Sequence, residues 1–504
     1  MNSSQQSQKT GQKLSRWLIP VFIFLFLAMV ILFADLWYIG TYGRINFDSI
    51  LFTMTANLSG TSSTLFLLYL LEGLLPALAV TAALVYLSCR LLRRNKVKNW
   101  LVSTVLCVLS AGAIIFSAFD SQLVEYIINI NSDAKIYEEQ YRDPRQTSVT
   151  FPQEKRNLVY IILESMEVSF SSTDKGGALE HDLMPELYAL AQQNINFSQS
   201  DSVGGFRPST GATWTIGSMV SQTAGIPLAP VSEEDEDEQE HYGSTDTFLP
   251  GVTTLMDILH ENGYYQSLMV GSNAAFGDRS LYYSSHGVDK IYDIFTAPAD
   301  GIVAQDYDDG WWGMEDYHLF DYAKQELTKI ANREQPFAFT MLTVDTHHVD
   351  GNLCPYCGDE YEEQYDNVIA CSSRQVSEFV AWLQAQDFYE NTTVVIVGDH
   401  CSMDAGYFER NVAEDYVRHV YNCFLNAAVG TDHSKNRQFC TLDLFPTTLA
   451  ALGCTIEGDR LGLGTNLFSG EPTLMEQWGY EELCAALFSN RDYYARHFTS
   501  QSAD

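Results

Sequence analysis

The pattern of apolar and polar positions divides this chain at about residue 120. Before that point the apolar residues come in long uninterrupted runs; after it they come in short runs set between amphipathic and polar stretches. Trp17 to Gly40 is apolar apart from Asp35, is long enough to cross a bilayer and follows Lys9, Lys13 and Arg16. A second span is predicted over residues 65–92, broken by Glu72, and a third over 100–119. Between them lies the strongest basic cluster of the chain, from Arg90 to Lys98, which the positive-inside rule assigns to the cytoplasm. The third span then places everything beyond Asp120 outside, as expected of a multi-pass protein of the cell membrane. Residues 121–156 read as a juxtamembrane linker whose segment from Leu123 to Ile130 can lie along the membrane surface. Residues 157–504 read as an extracytoplasmic domain.

In that domain the short apolar runs at 157–163, 266–270, 337–344 and 392–397 have the composition of strands buried on both faces, and 195–197 reads as a shorter one. Amphipathic stretches at 185–193 (with Pro185 at the first turn), 253–262, 316–331 and 373–386 predict helices between them. Strands alternating with helices imply an α/β sandwich around a mostly parallel sheet, added to the N-terminal transmembrane helices.

Open α/β sheets gather chemistry at the carboxyl ends of their strands. Three predicted strands end there in residues able to bind a ligand: Glu164, His347, and the pair Asp399 and His400. Two carboxylates and an imidazole suit one divalent cation, with Mn2+, Zn2+ and Mg2+ all compatible. The stretch from Gly204 to Met219 begins as a glycine- and proline-containing loop and continues as a predicted helix from about Trp214 to Gln222, so a hydroxyl sits at a helix N-terminus, where anions are favoured. Thr213 is the candidate, with Thr210 and Thr215 within reach. Its bland role is to cap the helix; bound to a divalent cation, it becomes a nucleophile.

Charge sharpens the picture. The chain carries a net charge of −35 although its first 134 residues, with nine basic and six acidic side chains, are net basic, so the large domain is strongly acidic and unsuited to holding nucleic acid. The run from Glu233 to Glu238 reads as an exposed loop. Among ten cysteines, Cys354, Cys357 and Cys371 are spaced for a small zinc site that lacks an evident fourth ligand; in an exported domain a disulfide among them is the expectation.

Six stretches in order, Asn157 to Glu164, Gly211 to Pro227, Phe276 to Gly287, Thr343 to Gly351, Val394 to His400 and Asp443 to Gly453, make the chain resemble the alkaline phosphatase and sulfatase superfamily. Within it the resemblance is to the membrane-anchored phosphoglycerol transferases of the lipoteichoic acid synthase type. That resemblance implies a metal site of Glu164, Thr213, Asp399 and His400, one divalent cation with Mn2+ foremost, and Thr213 as the catalytic residue that takes up the phosphoglycerol group. It also implies that Arg279 and His347 hold the glycerophosphate and that Phe276 lines its pocket. The implied donor is phosphatidylglycerol in the bilayer, and the acceptor a glycan or polyglycerolphosphate. A phosphoethanolamine transferase of the same superfamily and a non-catalytic membrane-anchored binding domain are the alternatives. The Cys/Ser-x-Pro-x-Arg pattern that sulfatases need is missing from the chain, which argues against sulfatase activity.

Overall fold

The computed structural model describes residues 16–43, 47–55, 63–94, 96–229, 247–307 and 311–500; the acidic run at 233–238 lies outside the described residues. The chain forms two compact units, one of residues 1–45 and 62–125, the other of residues 46–61 and 126–504.

In the first unit three helices, Leu18–Tyr42, Phe66–Arg93 and Asn99–Asp120, are long and apolar enough to cross a membrane. The shortest has 22 residues, which at 1.5 Å each gives about 33 Å, the depth of a hydrocarbon core. Small residues, among them Ala28, Ala77, Ser110 and Ala113, are buried in this unit, while Leu27, Ile31, Leu87 and Ile115 remain exposed. Close approach at small residues, here with Leu25, Leu92 and Leu106 buried beside them, is the packing that lipid favours.

The second unit is built on a seven-stranded sheet. Its strands are β1 (Asn157–Leu163), β2 (Gly205–Phe206), β3 (Tyr265–Val270), β4 (Lys290–Tyr292), β5 (Phe337–Leu342), β6 (Thr392–Gly398) and β7 (Val420–Leu425). Their order across the sheet is β2-β7-β6-β1-β5-β3-β4. The five strands from β6 to β4 are parallel, and β7 and β2 add an antiparallel edge. Strand β1 lies at the centre, with Tyr160 in register with Thr340 on one side and Val395 on the other.

The apolar run of β1 is explained by its two buried faces. Leu158, Tyr160 and Ile162 join a core that includes helices Thr215–Ala224, Leu255–Glu261 and Leu444–Ala451. Val159, Ile161 and Leu163 enter a second core with helices Pro185–Gln193, Asp316–Ile330 and Gln364–Gln384. This is the expected α/β sandwich.

Several boundaries moved. The helix expected at 373–386 starts at Gln364, because Tyr365, Val368 and Ile369 continue its buried stripe ahead of the small residues at 370–373. The stretch 195–197 makes a single bridge, Ile195 to Phe424, instead of a strand. Strand β7 had no counterpart among the expected elements. In the stretch read as a linker, Tyr137 is buried, donates its hydroxyl to the Leu487 carbonyl at 2.6 Å and stacks with Tyr493.

Ile161 is fully buried at the sheet centre. Ile161→Ala is therefore expected to lower stability by about 3 kcal/mol, through lost transfer energy and the cavity left behind. Urea denaturation of the full chain in detergent, followed by a domain tyrosine or tryptophan signal, measures it.

Candidate active site and metal centre

Adjacent parallel strands deliver the acidic and basic groups to one point. Strand β1 ends at Leu163 and β6 at Gly398, so Glu164 and Asp399 emerge side by side, and His400 follows. Gly398 permits this approach: a Cβ there would lie 2.1 Å from the Met166 carbonyl oxygen and 2.5 Å from Val420. No side chain larger than hydrogen fits between the two loops.

The donor atoms of Glu164, Asp399 and His400 all lie within 4.8 Å of one another. His400 Nε2 is 3.3 Å from Asp399 Oδ2 and 3.6 Å from Glu164 Oε1, and all three residues are buried. Each is oriented from behind. Asp399 Oδ1 accepts hydrogen bonds from the backbone N–H groups of Ser165 and His400, both at 2.8 Å, which leaves Oδ2 buried without a hydrogen-bond partner among the described residues. Ser165, held at φ 54°, also donates its hydroxyl to Glu164 Oε1 at 2.8 Å. His400 Nδ1 lies 2.9 Å from the Cys401 carbonyl, so Nδ1 carries the proton and Nε2 offers its lone pair. An unpartnered carboxylate oxygen, a second carboxylate and an oriented imidazole form a donor set that fits a divalent cation.

The charges confirm the crowding. Burial, and then the charge of Glu164, push Asp399 up to about 7. Burial would also raise Glu164, but His400, His347 and the Ser165 hydrogen bond outweigh it and hold Glu164 below its ordinary value. Burial would lower His400, yet Asp399 and Glu164 raise it. Two neighbouring carboxylates out of water thus share proton and positive charge until a cation replaces them.

The threonine in contact with this cluster is Thr215, and the assignment of Thr213 is corrected accordingly. Thr215 Oγ1 lies 3.3 Å from Glu164 Oε2 and 3.4 Å from His400 Nε2. The helix starts at Thr215, one residue later than expected, because Trp214 remains extended (φ −140°, ψ 162°) at the N-cap with its indole buried near Phe52. The hydroxyl at the helix N-terminus is therefore that of Thr215, whereas the hydroxyl of Thr213 has no hydrogen-bond partner among the described residues. Further along the helix, Ser218 donates to the Asp399 carbonyl and Gln222 to the Gly398 carbonyl at 3.0 Å. The helix that begins at Thr215 and the β6 end are thereby fixed to each other.

Arg279 begins helix Arg279–Ser285 and is only 2% exposed. Its partners are neutral: the Phe276 carbonyl at 3.0 Å, the Ser272 hydroxyl at 2.9 Å and the Asn273 carbonyl at 2.7 Å. Burial pulls its guanidinium down to about 10, partly offset by the charges of Glu164 and Asp399. It is a buried cation beside the cluster with no carboxylate bonded to it among the described residues. The Phe276 ring lies under Arg279 at 5.5 Å and continues through Trp312 to His347, with ring centroids 6.0 and 4.5 Å apart. His347 is lowered by burial and feels the charge of Glu164. Sequence reasoning passed over Trp312, whose signal was the aromatic pair Trp311-Trp312 in an acidic stretch. It also passed over Asp48, buried at the far end of the chain, which accepts from the Gly211 N–H at 3.2 Å.

A carboxylate must lose its proton to bind a metal. With Asp399 at about 7, the affinity for Mn2+ is expected to fall about tenfold per pH unit below pH 7, and Asp399→Asn to flatten that slope. Titration calorimetry across pH 5.5 to 8 reads both; a wild-type affinity independent of pH in this range contradicts the assignment.

The family model described as Sulfatase matches residues 156–454. The chain is 29% identical over 441 residues to phosphoglycerol transferase I of Escherichia fergusonii, covering 84% of this chain and 53% of that protein. It is 28% identical over 437 residues to the same enzyme of Escherichia coli, with equal coverage, so the chain spans about half the length of these relatives. Among solved structures, the lipoteichoic acid synthase LtaP of Listeria monocytogenes aligns over 64% of this chain and 79% of that one, at 18% identity and a TM-score of 0.49. The phosphoethanolamine transferase EptA of Neisseria meningitidis aligns over 86% and 84%, at 13% identity and a TM-score of 0.49. On the family match, which takes in the strand ends bearing Glu164, His347, Asp399 and His400, the chain belongs to the sulfatase family.

Proposed function

We propose that this chain is a membrane-anchored phosphotransferase that moves sn-glycerol-1-phosphate from phosphatidylglycerol to a glycan or polyglycerolphosphate acceptor. The observation that carries the reading is the Thr215 hydroxyl, 3.3 Å from Glu164 and 3.4 Å from His400, beside a buried arginine bonded only to neutral groups. The two relatives named phosphoglycerol transferase I support the choice of transferred group.

Glu164, Asp399 and His400 would hold one divalent cation, Mn2+ foremost, which when bound makes a nearby hydroxyl more acidic and offsets phosphoryl charge. Thr215 Oγ1 attacks phosphorus as the bond from phosphorus to the diacylglycerol oxygen breaks. The Thr215 proton passes to the cluster, where Glu164 Oε2 already accepts it, and diacylglycerol leaves as the alcohol. Arg279 binds the phosphoryl oxygens, and its charge is worth most because the site is dry. His347 keeps Nδ1–H on the His348 carbonyl at 2.7 Å, which leaves the Nε2 lone pair to carry the proton released by Thr215 on to the departing oxygen and later to take one from the acceptor hydroxyl and return it to Thr215. Acceptor attack then releases Thr215. Phe276 and Trp312 line the glycerol side of the pocket. The three apolar helices would keep the domain at the lipid that supplies the donor, and the basic loop after the second of them supports an extracytoplasmic domain by the positive-inside rule.

The full chain in detergent, loaded with Mn2+ and given phosphatidylglycerol, is expected to gain the mass of one glycerophosphate on Thr215. A gain of ethanolamine phosphate from phosphatidylethanolamine instead reassigns the donor, and no adduct on folded, metal-loaded protein refutes the covalent route. Diacylglycerol release is expected to fall on the order of a thousandfold in Thr215→Ala and less than tenfold in Thr213→Ala. The reverse order would restore Thr213.

A further inference from the structure

Three cysteines outside the active site converge. Cys354 Sγ is 3.7 Å from Cys357 Sγ and 3.7 Å from Cys371 Sγ, and all three sulfurs lie within 4.8 Å of one another. Cys354 and Cys357 belong to the loop that leaves His347, whereas Cys371 comes from the buried face of helix Gln364–Gln384. None is joined in a disulfide. The expected disulfide would bring two sulfurs to about 2.05 Å and leave the third a bystander. The sulfurs instead form a triangle in which Cys354 is equidistant from both others.

The two sides of that triangle that meet at Cys354 have the length of a ligand face's edges. Zinc–sulfur bonds of about 2.3 Å in a tetrahedron put neighbouring sulfurs about 3.8 Å apart. Around it, the Cys354 N–H points at Cys357 Sγ at 3.4 Å, a donor that stabilises thiolate charge. The Gln375 amide reaches Cys371 Sγ at 3.3 Å and Cys354 Sγ at 3.8 Å. An amide can be turned over without changing its shape, so its oxygen stands where a fourth ligand belongs. A cavity of about 230 Å³, lined by Cys371, Gln375, Arg374 and Tyr356, opens beside the sulfurs as a route of entry.

We infer that Cys354, Cys357 and Cys371 form a second metal site, a three-thiolate zinc centre separate from the Glu164, Asp399 and His400 cluster, with the Gln375 amide at or near its fourth position. Binding replaces three thiol protons, released to solvent, with three sulfur–zinc bonds, and no electrons move. The bound ion would fasten the loop leaving His347 to the long helix, so its role is structural.

The test removes the first site so that only the second is counted. Full-length Glu164→Ala/Asp399→Ala protein, purified in detergent without added reductant, is expected to retain one equivalent of zinc per chain. Cys354→Ser/Cys371→Ser in that background is expected to lose it. Exchange of the zinc for Co2+ in the unmutated cysteine triad should give a near-ultraviolet thiolate-to-cobalt absorption, which does not depend on any cysteine variant folding. Alkylation before and after zinc removal by a chelator should find three thiols that become reactive as zinc is released. A disulfide from Cys354 to Cys357 or Cys371 in the intact mass, or zinc-free protein with three reactive thiols, overturns the proposal.

Discussion

Two carboxylates held side by side, out of water, set the terms for the large unit. Glu164 and Asp399 end neighbouring parallel strands, both are buried, and like charges so placed cannot both ionise unless positive charge joins them. Protein dipoles meet part of this demand. Ser165 and His400 N–H groups bond to Asp399, the Ser165 hydroxyl bonds to Glu164, and His400 lies between the two carboxylates. The remaining demand falls on Asp399 Oδ2, which is buried and has no hydrogen-bond partner among the described residues. A site that is unfavourable when empty has the donor set that suits a divalent cation.

Much of the surrounding architecture keeps those groups from relaxing apart. Tyr160 donates to Gln222 at 2.9 Å, and Gln222 in turn donates to the Gly398 carbonyl, so the central strand, the helix of Thr215 and the end of β6 form one hydrogen-bonded chain. Thr343 accepts from the Glu164 N–H at 3.0 Å and Thr346 donates to the Glu164 carbonyl, which ties the end of β5 to the end of β1. Glu167, fully buried, pairs with Arg418 through Nε and Oε2 at 2.8 Å and accepts from the Ser402 N–H at 2.9 Å. The Ser402 bond joins the loop after Glu164 to the loop after His400, and Arg418, which also donates to the Ser402 carbonyl at 2.7 Å, ties both to the start of β7. Removing a member of such a network leaves buried polar groups without partners, which costs more than the hydrogen bond itself contributed.

The groups beside the cluster are arranged on the same logic. Arg279 carries charge into the interior on neutral acceptors alone, so its charge stays available to a ligand. Phe276, Trp312 and His347 line up as an aromatic wall next to it, and such a wall strengthens the field of the guanidinium by excluding water.

The sequence by itself determined the layers and the strand ends. A strand buried on both faces must be apolar throughout, so β1, β5 and β6 were readable, and with them Glu164, His347, Asp399 and His400 at their carboxyl ends. The three apolar helices were readable for the same reason, since lipid requires long apolar runs. Tertiary structure alone decided which threonine meets the cluster. Thr213 and Thr215 stand two residues apart in one loop-to-helix junction, and the choice follows from Trp214 remaining extended with its ring buried near Phe52, a residue 162 positions earlier than Trp214 by its own number. It also decided that Cys354, Cys357 and Cys371 meet as a triangle, that Trp312 joins the wall and that Asp48 caps Gly211. Periodicity records which face of an element is buried, but contacts between residues distant in sequence depend on how those elements pack.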